Sequence, residues 1–529
     1  MINRRKLLQL IPNLTVGGIF GSRIKTRKEE KPSYEKINHQ TDNIYTSLGV
    51  KPLINARGTV TIIGATQMLP EVKAAMDAAS RQYVQIDELM EAVGQRLADL
   101  TGAEWGFVSS GASAAITFGT VACITGGDPD KLWQVPDLTG MKDEVIIPSY
   151  SRTAYECAAR STGVKMIPVS DIQEFEAALG PRTAMILVLT GKRSMEGPLS
   201  LQEMAQLARP LGVPILADAA AEELVVPNPH LRQGADLVAY SGGKCMRGPQ
   251  CAGLLLGRKD LVEAARLSSA PHHGFGRGYK VGREEIIGML TAVEMWFQRD
   301  HVQENQAWTQ RLKTISDKIQ NIPGLKLEIT QPGARLSNRF PNLQIHWDRE
   351  NIPLSGYDVE NILWDGNPRI AVSGAGSFLP FPPNMNPDIQ INPSQMQEGE
   401  AEIVAERLNM IFSNPPDKIE SDLPPDFDIT GQWDLQVDFA ASTVAQKFIF
   451  EQNGNALVGT HFAFFASRDL TGSISGNNIL VRSSYTDHGV RLNFEFTGTV
   501  SENKMEGQVS LGEYGLARWK AVRKKYGNK

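Results

Sequence analysis

Val213-Pro214-Ile215-Leu216-Ala217-Asp218-Ala219-Ala220-Ala221 runs an apolar segment into a carboxylate, and Leu237-Val238-Ala239-Tyr240-Ser241-Gly242-Gly243-Lys244 runs another into a glycine-rich turn and a lysine. Short, almost wholly apolar runs bounded by turn residues mark strands covered on both faces. Outward from this pair the pattern repeats in Gly106-Phe107-Val108, Val145-Ile146-Ile147, Lys165-Met166-Ile167-Pro168-Val169, the run 184–189 and Gly253-Leu254-Leu255-Leu256. Between these runs, segments such as 153–160 and 201–207 carry apolar residues at helical spacing. Strand and helix in alternation predict an α/β domain with a mainly parallel sheet. Upstream, Ile86, Leu89, Met90, Val93, Leu97 and Leu100 make one face of an amphipathic helix that Gly102 ends.

Ligands of an open α/β sheet bind beyond the carboxyl ends of its strands, so the residues following each run carry the chemistry. Ser109-Ser110-Gly111-Ala112-Ser113 leads into a helical stretch, where small residues and helix N–H groups suit a phosphate. By itself such a loop is equally an ordinary helix cap. Asp218 alone reads as an N-cap, and Lys244 alone as a solvated side chain. Together they change meaning: a phosphate cradle, a carboxylate ending a later strand and a lysine 26 residues beyond it are what a pyridoxal phosphate site requires. The lysine forms a Schiff base with the aldehyde, the carboxylate keeps the pyridine nitrogen protonated, and the cradle anchors the phosphate.

The sequence resembles fold-type-I pyridoxal phosphate enzymes, in the group that contains bacterial selenocysteine synthase and D-glucosaminate-6-phosphate ammonia lyase. The resemblance runs from about 45 to about 408. It rests on Ile54-Asn55-Ala56-Arg57-Gly58-Thr59, the 109–113 loop, Ala217-Asp218-Ala219-Ala220, and Ser241-Gly242-Gly243-Lys244 with Gly248-Pro249-Gln250-Cys251-Ala252-Gly253. Gly278-Tyr279-Lys280-Val281-Gly282-Arg283-Glu284-Glu285 is similar to the lyase branch. The resemblance implies an aspartate aminotransferase-like large domain, a small α+β domain and a homodimer or larger homo-oligomer. It implies Lys244 as Schiff-base lysine and proton shuttle, Asp218 as partner of the pyridinium nitrogen, and Ala220 beside the ring. Ser110, Gly111 and Ala112 would hold the phosphate, with Ser241 a further donor. One departure stands out: Ser151-Arg152-Thr153 replaces a His-Arg-Asn-like triplet. Arg152 is then a substrate contact, and Tyr150 either stacks on the ring or is a plain loop tyrosine. Arg369 is a candidate carboxylate contact. Arg277 and Lys280 are candidates for substrate or a neighbouring subunit's phosphate, and His272-His273 belongs to the same loop. Cys245 and Cys251 flank the lysine loop and read as buried thiols rather than a disulfide.

Resemblance favours a lyase that eliminates a β-hydroxyl from an amino acid or amino sugar acid, releasing ammonia and a 2-keto product. The alternatives are an L-seryl-tRNA(Sec) selenium transferase, a racemase or an aminotransferase, and, outside catalysis, a pyridoxal phosphate-binding protein whose β domain binds a ligand. The chain has 529 residues, 54 Lys+Arg against 59 Asp+Glu, a formal charge of −5 and 41% hydrophobic residues. Such a balance excludes a disordered tail protein and gives no concentrated basic footprint for nucleic acid. The resemblance implies a small amino compound as the partner. Four cysteines without a Cys-x-x-Cys pair exclude a disulfide scaffold and a thiolate zinc or redox site, and no metal is expected.

The expected domains are a signal segment at 1–30, an N-terminal segment with the large cofactor-binding domain at 31–285, a small domain at 286–412, a linker at 413–427 and a β-barrel-like domain at 428–529. Arg4-Arg5 before Leu7-Leu8 and a short, weakly apolar stretch resembles a twin-arginine signal, implying export to the periplasm, with a cytoplasmic protein as the alternative. No stretch is apolar enough for a stable membrane span. After 428, seven short strand-like runs alternate with turns such as Asn453-Gly454-Asn455. Gly431-Gln432-Trp433 resembles the opening of lipocalin-like barrels; a stability or oligomerisation module is preferred to a ligand-binding one.

Overall fold

The computed structural model describes residues 43–334, 336–373, 385–416 and 423–524. The Arg4-Arg5 segment and part of the linker lie outside the described residues. Residues 43–52 belong to a unit of their own that holds one helical turn, Ile44–Ser47, and the chain from Leu53 makes a second unit.

After β1 (Leu53–Asn55) come β2 (Trp105–Ser109), β3 (Glu144–Pro148), β4 (Lys165–Val169), β5 (Thr183–Leu189), β6 (Ile215–Asp218), β7 (Leu237–Ser241) and β8 (Gly253–Gly257). Seven of these form one sheet in the order β2-β8-β7-β6-β5-β3-β4. Only β8 runs against the others, pairing antiparallel with β2 and β7. Each all-apolar run is thus a strand, because a sheet with helices on both faces leaves no solvent side for polar residues. The helix Gly111–Thr125 is buried along most of its length. The amphipathic helix Ile86–Thr101 turns Met90, Val93 and Leu97 into the same core. The expected helix over 153–160 is mostly absent: 3-10 turns at Ser149–Ser151 and Ala154–Glu156 precede a single α-turn, Cys157–Arg160. Thr153 explains this, since it is extended and its hydroxyl accepts the Tyr155 N–H at 3.2 Å, competing with helical bonding.

The second core gathers β9 (Leu325–Thr330), β10 (Asn342–Trp347), β11 (Arg369–Ala371) and β12 (Asp388–Ile391) with the helices His301–Ile319, Gly356–Asp365 and Glu400–Ser413. Here β12-β10-β9 is an antiparallel sheet and β1 pairs in parallel with β11. The expected boundary at 285/286 moves accordingly. Helix Arg283–Gln298 buries Ile286, Met289, Val293 and Trp296 in the large-domain core, whereas Ile54 and Ala56 join the small-domain core. Helical periodicity says that a face is buried; it does not say against which core.

Strands β13 (Gly431–Asp438), β14 (Thr443–Asn453), β15 (Ala456–Phe462), β16 (Ser467–Ser475), β17 (Asn478–Asp487), β18 (Val490–Ser501), β19 (Lys504–Ser510) and β20 (Leu516–Arg523) close into an up-and-down barrel. The sequence reading lacked β20, whose outward Arg518 and Lys520 make the segment look like a basic tail. Its inward Ala517, Trp519 and Ala521 are buried, and pairing with β13 removes both sheet edges. At one end Trp433 is fully buried, its indole N–H donates to Ile429 O at 2.9 Å, and the Arg523 guanidinium lies 4.7 Å from its ring centre. The opposite end carries the turn at His488-Gly489, where a Cβ on Gly489 would fall 2.5 Å from the Thr153 backbone of the large domain. No described helix is long and apolar enough to cross a membrane.

Truncating Trp433 to Ala leaves a large cavity at the plugged end and is expected to destabilise the barrel by about 3–5 kcal/mol. Chemical denaturation should show this as a lower midpoint for the transition that exposes the barrel tryptophans, with the large domain's transition unmoved.

Candidate active site

Ser109, Asp218 and Ser241 are the last residues of β2, β6 and β7, and strand direction puts all three on the carboxyl edge of the sheet. Both serines stand opposite Gly253 in register, and Asp218 stands opposite Ala239 and Leu189. Gly253 is packed from above: a Cβ there would lie 2.5 Å from Gly111 C, 2.6 Å from Ala112 N and 2.8 Å from Tyr240 O. Only glycine lets the 110–112 backbone come down onto the strand ends.

The helix Gly111–Thr125 begins at this point, with Gly111 at φ +88°. Its N-cap residue Ser110 makes no capping bond; the Ser110 hydroxyl donates instead to Tyr279 O at 3.0 Å, and Ser109 Oγ donates to Gly111 O at 2.9 Å. The first N–H groups of a fifteen-residue helix are therefore left without a side-chain acceptor. The positive end of the helix dipole adds to them, and an anion fits there.

Lys244 follows β7 in a tight loop closed by Gly242 N–H to Ala252 O, Gly248 N–H to Gly242 O (both 2.8 Å) and Arg247 N–H to Lys244 O (3.0 Å). Among the described residues its amine has no hydrogen-bond or ion-pair partner. Burial pushes its pKa down, and the Asp218 carboxylate works against that shift. Asp218 is 7% exposed and accepts the Ala220 N–H at 3.1 Å. Burial drives its pKa up, opposed by the Ala220 N–H and by Lys244, while Glu222 adds to the rise. An amine and a carboxylate thus feel each other without an ion pair, and each is pushed toward neutrality. A group with an aldehyde for the amine, a protonated nitrogen for the carboxylate and a phosphate for the helix answers all three demands. The residues present fit pyridoxal phosphate.

Of the remaining candidates, Ala220 joins the site through its N–H to Asp218 and its carbonyl, which accepts Ser241 N–H at 3.3 Å. Arg277 and Lys280 are exposed on the loop whose Tyr279 carbonyl holds Ser110. His272 pairs with Asp87 at 3.4 Å, away from the lysine loop's own contacts. Arg152 is engaged by the buried Glu156, with Nη2 donating to Oε1 at 2.8 Å. The Tyr150 hydroxyl donates to Leu199 O at 2.7 Å, and its ring packs on the core cluster that holds Phe175 and Leu199. Arg369 donates to Trp364 O at 2.9 Å and lies 4.6 Å from the Trp364 ring centre. All four cysteines are free; Cys245 is half-buried, but Cys251 is exposed and not the buried thiol expected.

Two features escaped sequence reasoning. Glu222 and His230 are both buried and paired at 2.6 Å, and Ser337 from the small-domain side donates to Glu222 at 3.4 Å. Arg57 is half-buried, and its Nη1 has no hydrogen-bond partner among the described residues. Glu222 lies four residues past Asp218 in the same strand-end loop, and that proximity was the available signal. Arg57 sits inside the quoted Asn55-Ala56-Arg57-Gly58 turn, where Asn55 Oδ1 accepts the 57 and 58 N–H groups at 3.1 and 3.0 Å.

Comparison with known proteins agrees with this geometry. The family model described as SelA, L-seryl-tRNA selenium transferase, matches residues 53–323. D-glucosaminate-6-phosphate ammonia lyase from Salmonella typhimurium is 30% identical over 387 residues, 71% of this chain and 100% of that protein. A 5'-C-glycyluridine monooxygenase-decarboxylase from a Streptomyces species is 30% identical over 54% of this chain and 73% of its own length. An L-seryl-tRNA(Sec) selenium transferase from Moorella thermoacetica is 27% identical over 46% of this chain and 56% of its own. A solved structure of D-glucosaminate-6-phosphate ammonia-lyase superposes with a TM-score of 0.63 at 30% identity, covering 71% of this chain and 100% of that one.

Gly253→Ala should lift the 110–112 backbone and weaken pyridoxal phosphate binding at least tenfold, about 1.4 kcal/mol, as measured by equilibrium dialysis. Asp218→Asn should leave the cofactor-free protein equally or more heat-stable at neutral pH. A buried carboxylate with a raised pKa penalises the fold while ionised, and the penalty fades as pH falls through that pKa; the thermal advantage of the variant should shrink in step.

Proposed function

Because the chain belongs to the SelA family of pyridoxal phosphate-dependent lyases and transferases, we propose that it is a lyase that removes a β-hydroxyl from a small amino acid or amino sugar acid and releases ammonia and a 2-keto product. The observation that carries this reading is the unpartnered amine of Lys244 facing a site where Asp218 is buried and the helix N-terminus is uncapped. When bound, pyridoxal phosphate supplies an aldehyde that condenses with amines and a ring that takes up the electron pair left at the substrate's α-carbon.

The chain's residues then have distinct tasks. The 111–113 N–H groups, with Ser110 and Ser241, bind the phosphate dianion. Asp218 holds a proton at the pyridine nitrogen, and its hydrogen bond from Ala220 fixes its direction. Lys244 takes the proton from the α-carbon and supplies one to the departing hydroxyl, which leaves as water. Water later returns the carbonyl oxygen as ammonia departs, so the net reaction exchanges an amine and a β-hydroxyl for a keto group and a β-hydrogen. Glu222 and His230 stiffen the loop beyond Asp218. A lowered amine pKa serves this cycle, because a neutral base is available nearer working pH.

The lyase reading is favoured over selenium transfer by the relative that this chain covers over its whole length, a named ammonia lyase. An exported enzyme would also never meet a seryl-tRNA; that part of the reading rests on the Arg4-Arg5 segment alone. A homo-oligomer belongs to the same reading.

Purified protein reconstituted with pyridoxal phosphate should release ammonia and a 2-keto acid from one class among amino acids and amino sugar acids. Lys244→Ala should lower kcat by roughly 10²–10⁴-fold. Ammonia release from none of them by a cofactor-loaded protein would move the reading to transfer or racemisation. The rate of cofactor uptake, followed by visible absorbance, should climb with pH along a curve whose midpoint lies below that of an ordinary lysine. The neutral amine is the reactive form, and burial disfavours the ammonium.

A further inference from the structure

The barrel interior carries a charge that nothing among the described residues answers. Arg468 on β16 points inward, is 5% exposed, and among the described residues its Nε and Nη1 have no hydrogen-bond partner. No carboxylate among the described residues is paired with it. Its guanidinium lies 4.4 Å from the Phe494 ring centre and 5.7 Å from that of Tyr485, so it rests against aromatic faces.

The polar groups beside Arg468 are already committed. His461 stands opposite it in register and is fully buried, with Nδ1 2.7 Å from Ser483 Oγ and Nε2 2.8 Å from Gln446 Oε1. Gln446 Oε1 only accepts, so Nε2 carries the hydrogen and Nδ1 accepts from the serine. Burial and the neighbouring guanidinium hold the imidazole pKa down at about 3, and it adds no charge of its own. His461 therefore neither neutralises Arg468 nor uses its donors. The unpartnered Nε is one arm of the Nε–Nη2 fork, whose geometry matches a carboxylate.

The place in the barrel fits an anion with an apolar body. Arg468 lies one residue beyond the start of β16, toward the end opposite the Trp433–Arg523 plug. On that side the inward residues Phe439, Tyr485, Leu492 and Phe494 are only half-buried, whereas the plugged side is filled by Trp433, Phe450 and Trp519. Phe464 and Phe465, 82% and 74% exposed, stand in the turn of the same rim. The apolar rim, the aromatic side chains and the unpartnered cation lie at the same end of the barrel.

We propose that the barrel binds a small organic carboxylate, its carboxylate gripped by Arg468 and its flat apolar body packed against Phe494 and Tyr485 at the end opposite the Trp433 plug. This site is separate from the lysine site and stands whether or not the lyase reading holds.

Phenylacetate is a suitable probe, and its uncharged counterpart phenylacetamide is the control, with binding to the full-length, cofactor-loaded protein measured by calorimetry. Phenylacetate should bind saturably and at least tenfold more tightly than the amide. Arg468→Met should abolish that preference, and Arg468→Lys should weaken it, since a lysine keeps the charge but loses the fork. Lys244→Ala should bind phenylacetate as the wild type does, since a carboxylate without an amine makes no use of that lysine. Equal affinity for acid and amide, no saturable binding by the wild type, or unchanged binding in Arg468→Met would each overturn the proposal. Should Arg468→Met not fold, the acid-to-amide ratio of the wild type and the Arg468→Lys variant decide the matter.

Discussion

The close descent of the 110–112 backbone onto the edge of the main sheet is the constraint from which the rest of the site follows. Gly253 on the one antiparallel strand stands between Ser109 and Ser241, and a Cβ there would collide with the backbone of Gly111 and Ala112. With the glycine in place, an uncapped helix N-terminus, a buried carboxylate and a lysine loop share one edge. No ion pair ties Asp218 to Lys244. The strand register brings them near, and burial then pushes the carboxyl pKa up and the amine pKa down. A site prepared in this way gives up part of its stability to hold groups ready for a ligand, which is how functional sites commonly differ from the core around them.

Around that edge the molecule is rigid in the places the chemistry needs. The helix behind the cradle is buried along most of its length, and the lysine loop is closed by backbone hydrogen bonds at both ends. The Glu222–His230 pair links the loop after Asp218 to the small-domain side through Ser337. Substrate-side groups are a different matter. Arg152 and Arg369 are held by Glu156 and by Trp364, so any use of them in binding has to compete with contacts already made.

The barrel obeys separate rules. Its core is aromatic and closed at the Trp433–Arg523 end, and its other end leaves Arg468 buried without an opposite charge. Natural cores rarely keep an unpaired cation, because its desolvation is not returned by packing. The family match ends at residue 323, well before the barrel begins.

The main sheet, the cradle, Asp218 and Lys244 were legible in the sequence because each depends on local facts: apolar runs too short for helices, small residues after a strand, a carboxylate and a lysine at strand ends. A buried parallel strand has no polar alternation to blur the signal. What tertiary structure alone decided is where faces go. Helix Arg283–Gln298 shows its apolar stripe in the sequence, yet only packing assigns it to the large-domain core. Strand β20 reads as a basic tail until β13 pairs with it and turns Trp519 inward. Arg468 looks like any surface arginine until eight strands close around it. Periodicity records that a residue is buried; which neighbours it meets, and whether its charge is answered, depends on contacts between segments far apart in the chain.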